Sequence, residues 1–172
     1  DMDTVIKAVR SIDLFDHLFH VEKHRLHGFD FLFSQIKVTG DMAEVKIADG
    51  TLAISEGAVS NQTVKAVAIP NSVKVIGDKA FKNSAIAQIT IPASVTVIGN
   101  NVFENATSLK KVSLSKNLEV MGKAAFKNCS ALASITLPLT LKNIPVDAFL
   151  NCSSLAKVGL GSVETIGKFA FK

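Results

Sequence analysis

Five phenylalanines recur at a nearly fixed interval along this chain of 172 residues. Each one closes a similar phrase, approximately Ile-Gly-x-x-Ala-Phe, and neighbouring phrases are 22 or 23 residues apart. The five residues are Phe81, Phe103, Phe126, Phe149 and Phe171. A repeat in the twenties is typical of a solenoid, in which one short unit stacks on copies of itself and buries its apolar face against them.

Within each unit a short alternating run precedes the phenylalanine phrase. In the unit that begins at Ile86, the apolar residues Ile89 and Ile91 alternate with Gln88 and Thr90. Alternation of this kind predicts a half-buried β-strand. We expect a turn of helix or 3₁₀ helix to bring the phenylalanine into the core after the strand, so that the stacked rings form a spine.

An asparagine follows the phenylalanine by two residues in four of the units. These residues are Asn83, Asn105, Asn128 and Asn151. A recurring asparagine inside a coil normally satisfies the backbone groups of the adjacent turn, so we predict a structural asparagine ladder. Three of the four also begin Asn-x-Ser/Thr sequons, which burial in the ladder would keep from glycosylation.

The repeat phase defines the organisation of the chain. It extends upstream through a degenerate unit at 42–63 and is lost before about residue 38. We therefore predict a cap at 1–37 and a solenoid at 38–172, with five repeats in 64–172, the last incomplete. Apolar cap residues, Val5 among them, fall on one side of a 3.6-residue wheel, which predicts one bent or two short helices covering the first coil.

The repeat phrases resemble the BspA-like, or Treponema pallidum type, leucine-rich repeats. Residues 91–99 (Ile-Pro-Ala-Ser-Val-Thr-Val-Ile-Gly) and 125–129 (Ala-Phe-Lys-Asn-Cys) carry the resemblance, which covers 64–172 closely and 42–63 weakly. The resemblance implies an α+β or all-β solenoid: a right-handed leucine-rich repeat solenoid with short parallel strands on its concave face. It also implies a cell-surface or secreted protein that acts in adhesion, without a shared catalytic site.

The outward residues of the strands are the natural ligand surface of such a solenoid. We call this surface, formed by the outward side chains of the first strand of each coil, the ladder face. Its candidate ligand-binding residues are Glu44, Lys46, Gln88, Thr90, Lys111, Ser113, Ser134, Thr136 and Lys157. We expect the ladder face to bind a protein or glycan partner. The alternative is a structural scaffold or spacer of a larger assembly, and we expect a monomer unless a partner caps the C-terminal end.

Composition and motifs argue against catalysis, nucleic-acid binding and membrane insertion. The net charge of +4 comes largely from lysines spread along the repeats, and neither Tyr nor Trp is present to stack on bases. No apolar run approaches the roughly 20 residues of a membrane helix. Because the sequence contains neither a Gly-rich phosphate loop nor a nucleophile paired with a base, we predict no enzyme activity and no cofactor.

The histidines and cysteines are the remaining candidates for chemistry. All four histidines lie in the cap, and His20 and His24 have the i, i+4 spacing of metal ligands on a helix. We favour a polar flank of the cap and keep these two as the candidate metal ligands. Cys129 and Cys152 occupy equivalent positions 23 residues apart, where two buried thiols or a disulfide between adjacent coils would both fit.

Overall fold

A computed structural model describes Val5–Ile6, residues 43–60 and residues 62–172. These ranges contain short β-strands and no helix, and therefore no helix with the length needed to cross a bilayer. The first row of strands consists of β1 (Val5–Ile6), β2 (Glu44–Ile47), β4 (Ala66–Ala68), β6 (Gln88–Thr90), β8 (Lys111–Ser113), β10 (Ser134–Thr136) and β12 (Lys157–Gly159). The second row consists of β3 (Ala53–Ile54), β5 (Val75–Ile76), β7 (Val97–Ile98), β9 (Val120–Met121), β11 (Asn143–Ile144) and β13 (Thr165–Ile166).

Strands of one row pair in parallel and in the phase of the sequence repeat. In the first row β2 pairs with β4, β6 with β8, and β10 with β12; in the second, β3, β5, β7 and β9 form one sheet and β11 pairs with β13. The registered partners are 23 residues apart for Gln88 and Lys111 and 22 apart for Val75 and Val97. Each repeat is therefore one coil of a parallel β-solenoid, as the alternating runs predicted.

The residues of the phenylalanine phrase form a third side of the coil, which is joined to the neighbouring coils by backbone hydrogen bonds. Alternate backbone N–H groups donate to carbonyl oxygens of the next coil, from Phe81 to Val102 at 2.9 Å and from Phe103 to Ala125 at 2.8 Å. Those between them, such as that of Lys82, donate to the carbonyl three residues back in the same coil. An α-helix would direct every N–H group four residues back, and a 3₁₀ helix every one three residues back. The turn of helix or 3₁₀ helix that we predicted here is therefore not formed in the described coils, because every second N–H group bonds to the next coil and leaves only isolated turns.

Left-handed backbone marks both ends of this third side. The residues at its start are Lys79, Asn101, Ala124, Asp147 and Phe169, and those at its end are Asn83, Asn105, Asn128 and Asn151, all with φ between 52° and 61°. Asparagine adopts this conformation at lower cost than most residues with a side chain. The geometry therefore gives a second reason, beside hydrogen bonding, for asparagine at the end of each phrase.

The core runs without interruption through the coils. Successive phenylalanine rings are stacked, with centroids 5.2 or 5.3 Å apart. Phe81, Phe103, Phe126 and Phe149 are at most 1% exposed, whereas Phe171 in the last coil is 43% exposed. The inward residues of both strand rows surround this spine and complete the core. Because each ring contacts rings of its neighbouring coils, no coil buries its apolar face alone.

One corner of the coil takes up a difference in repeat length. Gln88 follows Phe81 by seven residues, whereas Lys111 follows Phe103 by eight, and the next two coils keep the longer form. By contrast, the interval from the start of a second-row strand to its phenylalanine is the same in every coil from β5 to β13. The extra residue thus enlarges the corner between the phenylalanine phrase and the next first-row strand.

Only part of the predicted cap lies within the described residues. Val5–Ile6 forms β1, which pairs in parallel with Lys46 and Ile47 of β2. The helix that we predicted at Val5 is therefore wrong at this position, because pairing there satisfies the backbone groups that β2 would otherwise leave open at the edge of the sheet. The rest of the helical cap, including the histidines, lies outside the described residues.

Candidate ligand-binding face

The ladder face is exposed because alternate residues of each first-row strand point to opposite sides. In β8, Val112 is 7% exposed, whereas Lys111 and Ser113 on either side of it are exposed to solvent. The same pattern occurs in β6 and β10. All nine candidate ligand-binding residues lie at exposed positions of these strands.

The register brings most of the candidate residues into one group. Gln88 lies opposite Lys111, and Ser134 lies opposite Lys157. Neighbouring strands are about 4.8 Å apart, so side chains from two or three coils are within reach of one ligand. The two candidates in β2 are set apart from this group, because β4 lies between and both of its outward residues are alanine.

Two shallow grooves on the ladder face share part of their walls. The larger, of about 690 Å³, extends from β8 to the end of β12 and is lined by Ser134 and Thr136 among others. The smaller, of about 520 Å³, extends from β4 to β8 and is lined by Gln88 among others. Lys111 and Ser113 line both grooves, so the two form one surface centred on β8.

Residues of the turns after the strands also line the larger groove, and the strand pattern did not predict them. Lys116 follows β8 and Leu139 follows β10. Leu139 is 70% exposed, although it is a large apolar residue. The available signal was the phase of the repeat, since other coils carry Asn71 or Ala93 at this turn position.

The four ladder asparagines are joined through their side chains. Asn105 Nδ2 donates to Asn83 Oδ1 at 3.0 Å, Asn128 Nδ2 donates to Asn105 Oδ1 at 2.7 Å, and Asn151 Nδ2 donates to Asn128 Oδ1 at 2.9 Å. The partners are thus neighbouring amides, where we expected backbone groups of the turn. The burial that we expected for the three sequon asparagines is only partial, since Asn151 is exposed; in all three, however, the Nδ2 atom that glycosylation would modify donates one of these hydrogen bonds.

The two cysteines are free thiols buried on adjacent coils. Cys129 Sγ donates to the Phe103 carbonyl oxygen at 3.1 Å, and Cys152 Sγ donates to the Phe126 carbonyl oxygen at 3.0 Å. Burial raises the pKa of the Cys152 thiol to about 11. Burial first, and the neighbouring Cys152 second, also raise the pKa of the Cys129 thiol. At neutral pH both groups are therefore protonated and unsuited to nucleophilic attack or metal binding.

We expect both thiols to resist alkylation in the native protein at neutral pH, because the thiolate is the reactive form. Iodoacetamide adducts should be absent by intact-mass spectrometry after an incubation that fully labels a free cysteine peptide. In guanidinium chloride both thiols should react, which provides the control for reagent activity. Rapid addition of one or two adducts to the folded protein would contradict the burial of these groups.

The described residues contain no group of three or more His, Cys, Asp or Glu side chains arranged to hold a metal ion. His20 and His24 lie outside those residues, so our preference for a polar flank of the cap, with these two as the alternative metal ligands, stays a prediction from the sequence. Within the described coils, the ladder face is the surface on which exposed candidate residues come together.

Comparison with known proteins identifies the repeat type. A family model for BspA type leucine-rich repeat regions matches residues 52–172 in six copies. The chain is similar to a T. pallidum leucine-rich repeat protein of known crystal structure, with 23% sequence identity and a TM-score of 0.65 over 77% of this chain and 76% of that chain. The pneumococcal vaccine antigen PcpA is also 23% identical, with a TM-score of 0.54 over 76% of this chain and 30% of that chain. None of the curated proteins matches the chain.

Proposed function

The chain belongs to the BspA-type leucine-rich repeat family, and from this premise we propose that it is a non-enzymatic interaction module at the cell surface or outside the cell. Repeat proteins of this family are typically interaction or surface proteins. The observation that carries the proposal is the ladder face, where nine exposed candidate residues project from the first-row strands and six of them line two adjoining grooves. We infer that a protein or glycan partner binds there.

Rigidity of the strand row supports binding at this face. The coils are joined by backbone hydrogen bonds on both sides of the ladder side chains, such as Lys110 N–H to the Ala87 carbonyl at 2.8 Å and Ile91 N–H to the Ser113 carbonyl at 2.8 Å. A surface whose backbone is already fixed loses little conformational entropy when a partner binds. The pneumococcal antigen with the same fold supports a surface location.

The test is a quantitative pull-down from source-cell and host-cell extracts with the double variant Lys111→Glu and Lys157→Glu. We expect capture of a partner to fall at least tenfold, since Lys111 lines both grooves and Lys157 lies two strands along the same face, so that charge reversal at both opposes the same ligand twice. The matched control is Lys74→Glu with Lys123→Glu, which makes the same change in net charge at exposed positions outside the first-row strands and both grooves. Equal capture by wild type and the ladder variant would contradict binding at this face.

A further inference from the structure

The charges of the coils are segregated, and this property restricts the ligands that suit the ladder face. From residue 65 onward, every carboxylate side chain lies outside the first-row strands and the turns that follow them. These residues are Asp78, Glu104, Glu119, Asp147 and Glu164. The first-row strands from β4 to β12, with the residue directly before each strand and the turn after it, carry lysines instead. These are Lys65, Lys110, Lys111, Lys116 and Lys157.

Two of these five carboxylates have lysine partners, whereas no carboxylate partner is found among the described residues for the five lysines along the first row. Lys82 Nζ lies 2.8 Å from Glu104 Oε2, and Lys142 Nζ lies 3.6 Å from Glu164 Oε1. Within the part of the chain that the structure describes, no carboxylate oxygen lies within 4.0 Å of Nζ in any of these five lysines. From β4 to β12, a range that leaves out Glu44 of β2, the ladder face therefore has positive charges without a counter-charge, and such a surface attracts ligands of the opposite sign.

The groove floor between the lysines offers small polar groups. Ser113, Ser134 and Thr136 expose hydroxyl groups that both donate and accept hydrogen bonds, as the hydroxyl groups of a sugar do. Gly159 leaves room beside them, because a Cβ at that position would lie 3.1 Å from Cγ2 of Thr136. At the margin, Leu139 exposes an apolar side chain that suits the C–H face of a sugar ring. This floor therefore matches a carbohydrate.

The groove lining also disfavours two other anionic ligands. Within the described residues, neither groove is lined by an arginine or an aromatic residue. Single-stranded nucleic acids are normally held by aromatic stacking in addition to positive charge. Protein partners normally bury Trp, Tyr or Arg anchors at the centre of an interface. Neither kind of anchor is available from these walls, so an acidic glycan is favoured over RNA or an acidic protein.

The spacing of the first-row strands indicates the direction in which an acidic glycan would lie on the ladder face. Lys111 lies on β8 and Lys157 on β12, with Ser134 of β10 between them in the row. At about 4.8 Å a strand, two coils separate the lysine Cα atoms by about 10 Å. This distance is comparable to the length of a disaccharide. A polysaccharide that lies across the strands and has one acidic group in every disaccharide would therefore space its charges by about the same distance as these lysines.

We propose that the ladder face binds a linear acidic polysaccharide that crosses β8, β10 and β12 and carries a carboxylate or sulfate in each disaccharide unit. Lys111 and Lys157 pair with successive acidic groups, and Ser134 and Thr136 bond the sugar between them. This inference rests on the proposed function, since it requires that the ladder face is the binding face. It goes further by naming the chemical class of the partner.

The experiment is calorimetric titration of the full chain with four polymers at low ionic strength. Hyaluronan supplies carboxylates alone, chondroitin sulfate supplies carboxylates and sulfates, dextran sulfate supplies dense sulfates, and dextran is neutral. We expect hyaluronan or chondroitin sulfate to bind, dextran to give no heat beyond dilution, and added salt to weaken binding. Binding of hyaluronan would identify the carboxylate as sufficient, and binding of chondroitin sulfate alone would identify the sulfate as required.

Two variants of equal net charge separate the site from general charge attraction. Lys111→Gln with Lys157→Gln should lower the affinity at least tenfold, whereas Lys74→Gln with Lys123→Gln should change it less than twofold. Equal losses in both variants, or binding of dextran sulfate alone, would overturn the proposal by showing attraction to charge density only. Poly(U) and polyglutamate, titrated in the same way as two further polymers, should not bind; their binding in place of the acidic polysaccharides would overturn the proposal in favour of nucleic acid or protein.

Failure of this inference is distinguishable from failure of the proposed function. If no acidic polysaccharide binds but the pull-down partner is lost in the ladder variant, the glycan assignment is wrong and the binding face stands. If the pull-down partner is retained by the ladder variant and the polysaccharides do not bind, both are wrong.

Discussion

Replacing Phe126 with alanine should lower the free energy of unfolding by about 3–5 kcal/mol. The ring of Phe126 is fully buried and stacks on Phe103 at 5.2 Å and on Phe149 at 5.3 Å. The coils cannot easily close the cavity, because backbone bonds such as the one from Phe126 N–H to the Ala148 carbonyl oxygen hold them at a fixed distance. Urea unfolding followed by far-UV circular dichroism measures the loss.

The matched control removes the same ring at the end of the spine. Phe171 stacks on Phe149 at 5.2 Å but is 43% exposed. Phe171→Ala should therefore cost only about 1–2 kcal/mol, since less apolar surface leaves water on folding. If the two variants lost the same stability, the continuous spine would not be the source of the effect of Phe126.

Asn128→Ala should lower the free energy of unfolding by about 2–4 kcal/mol. The change removes two hydrogen bonds between side-chain amides, one from Asn128 Nδ2 to Asn105 Oδ1 and one from Asn151 Nδ2 to Asn128 Oδ1. It leaves a half-buried carbonyl oxygen and an amide group without their partners, and it places alanine at a φ of 61°. Urea unfolding measures this loss as well.

Asn151→Ala is the control for the amide ladder. Asn151 has nearly the same backbone, with a φ of 59°, but it takes part in one ladder bond and its side chain is exposed. Its replacement should lower the free energy of unfolding by about half as much as that of Asn128, because it removes one side-chain hydrogen bond where Asn128→Ala removes two. The cost of placing alanine in the left-handed backbone is common to both variants. Equal losses of stability would assign the whole effect to backbone conformation and none to the second side-chain hydrogen bond.

The strands were predictable from the sequence because burial alternates with position along them. Ile89 is buried between the exposed Gln88 and Thr90, so a local pattern was enough to predict a strand with one face in the core. The phrase around Phe81 was not predictable in this way. Its N–H group bonds to Val102 in the next coil, and a partner so distant in sequence leaves no mark on the local pattern.

The candidate site was predictable only where it consists of strand residues. Lys111 and Ser113 followed from the alternation of β8, because the residue between them is in the core. Lys116 and Leu139 did not, since the path of the turns after the strands decides that they line the larger groove. Likewise, Val5 has apolar neighbours that fit a helical wheel, and only its pairing with β2 identifies it as part of a strand.

The corner that lengthens after Phe103 has a consequence for engineering. The added residue there leaves the strand rows, the rings and the amide ladder in phase, and residues 107–108 at this corner are exposed. Exposed turns of this kind accept insertions with little effect on the surrounding fold. Peptide loops grafted at successive corners would emerge beside the first strand row, one coil apart, so the molecule is suited to presenting epitopes as a regularly spaced array.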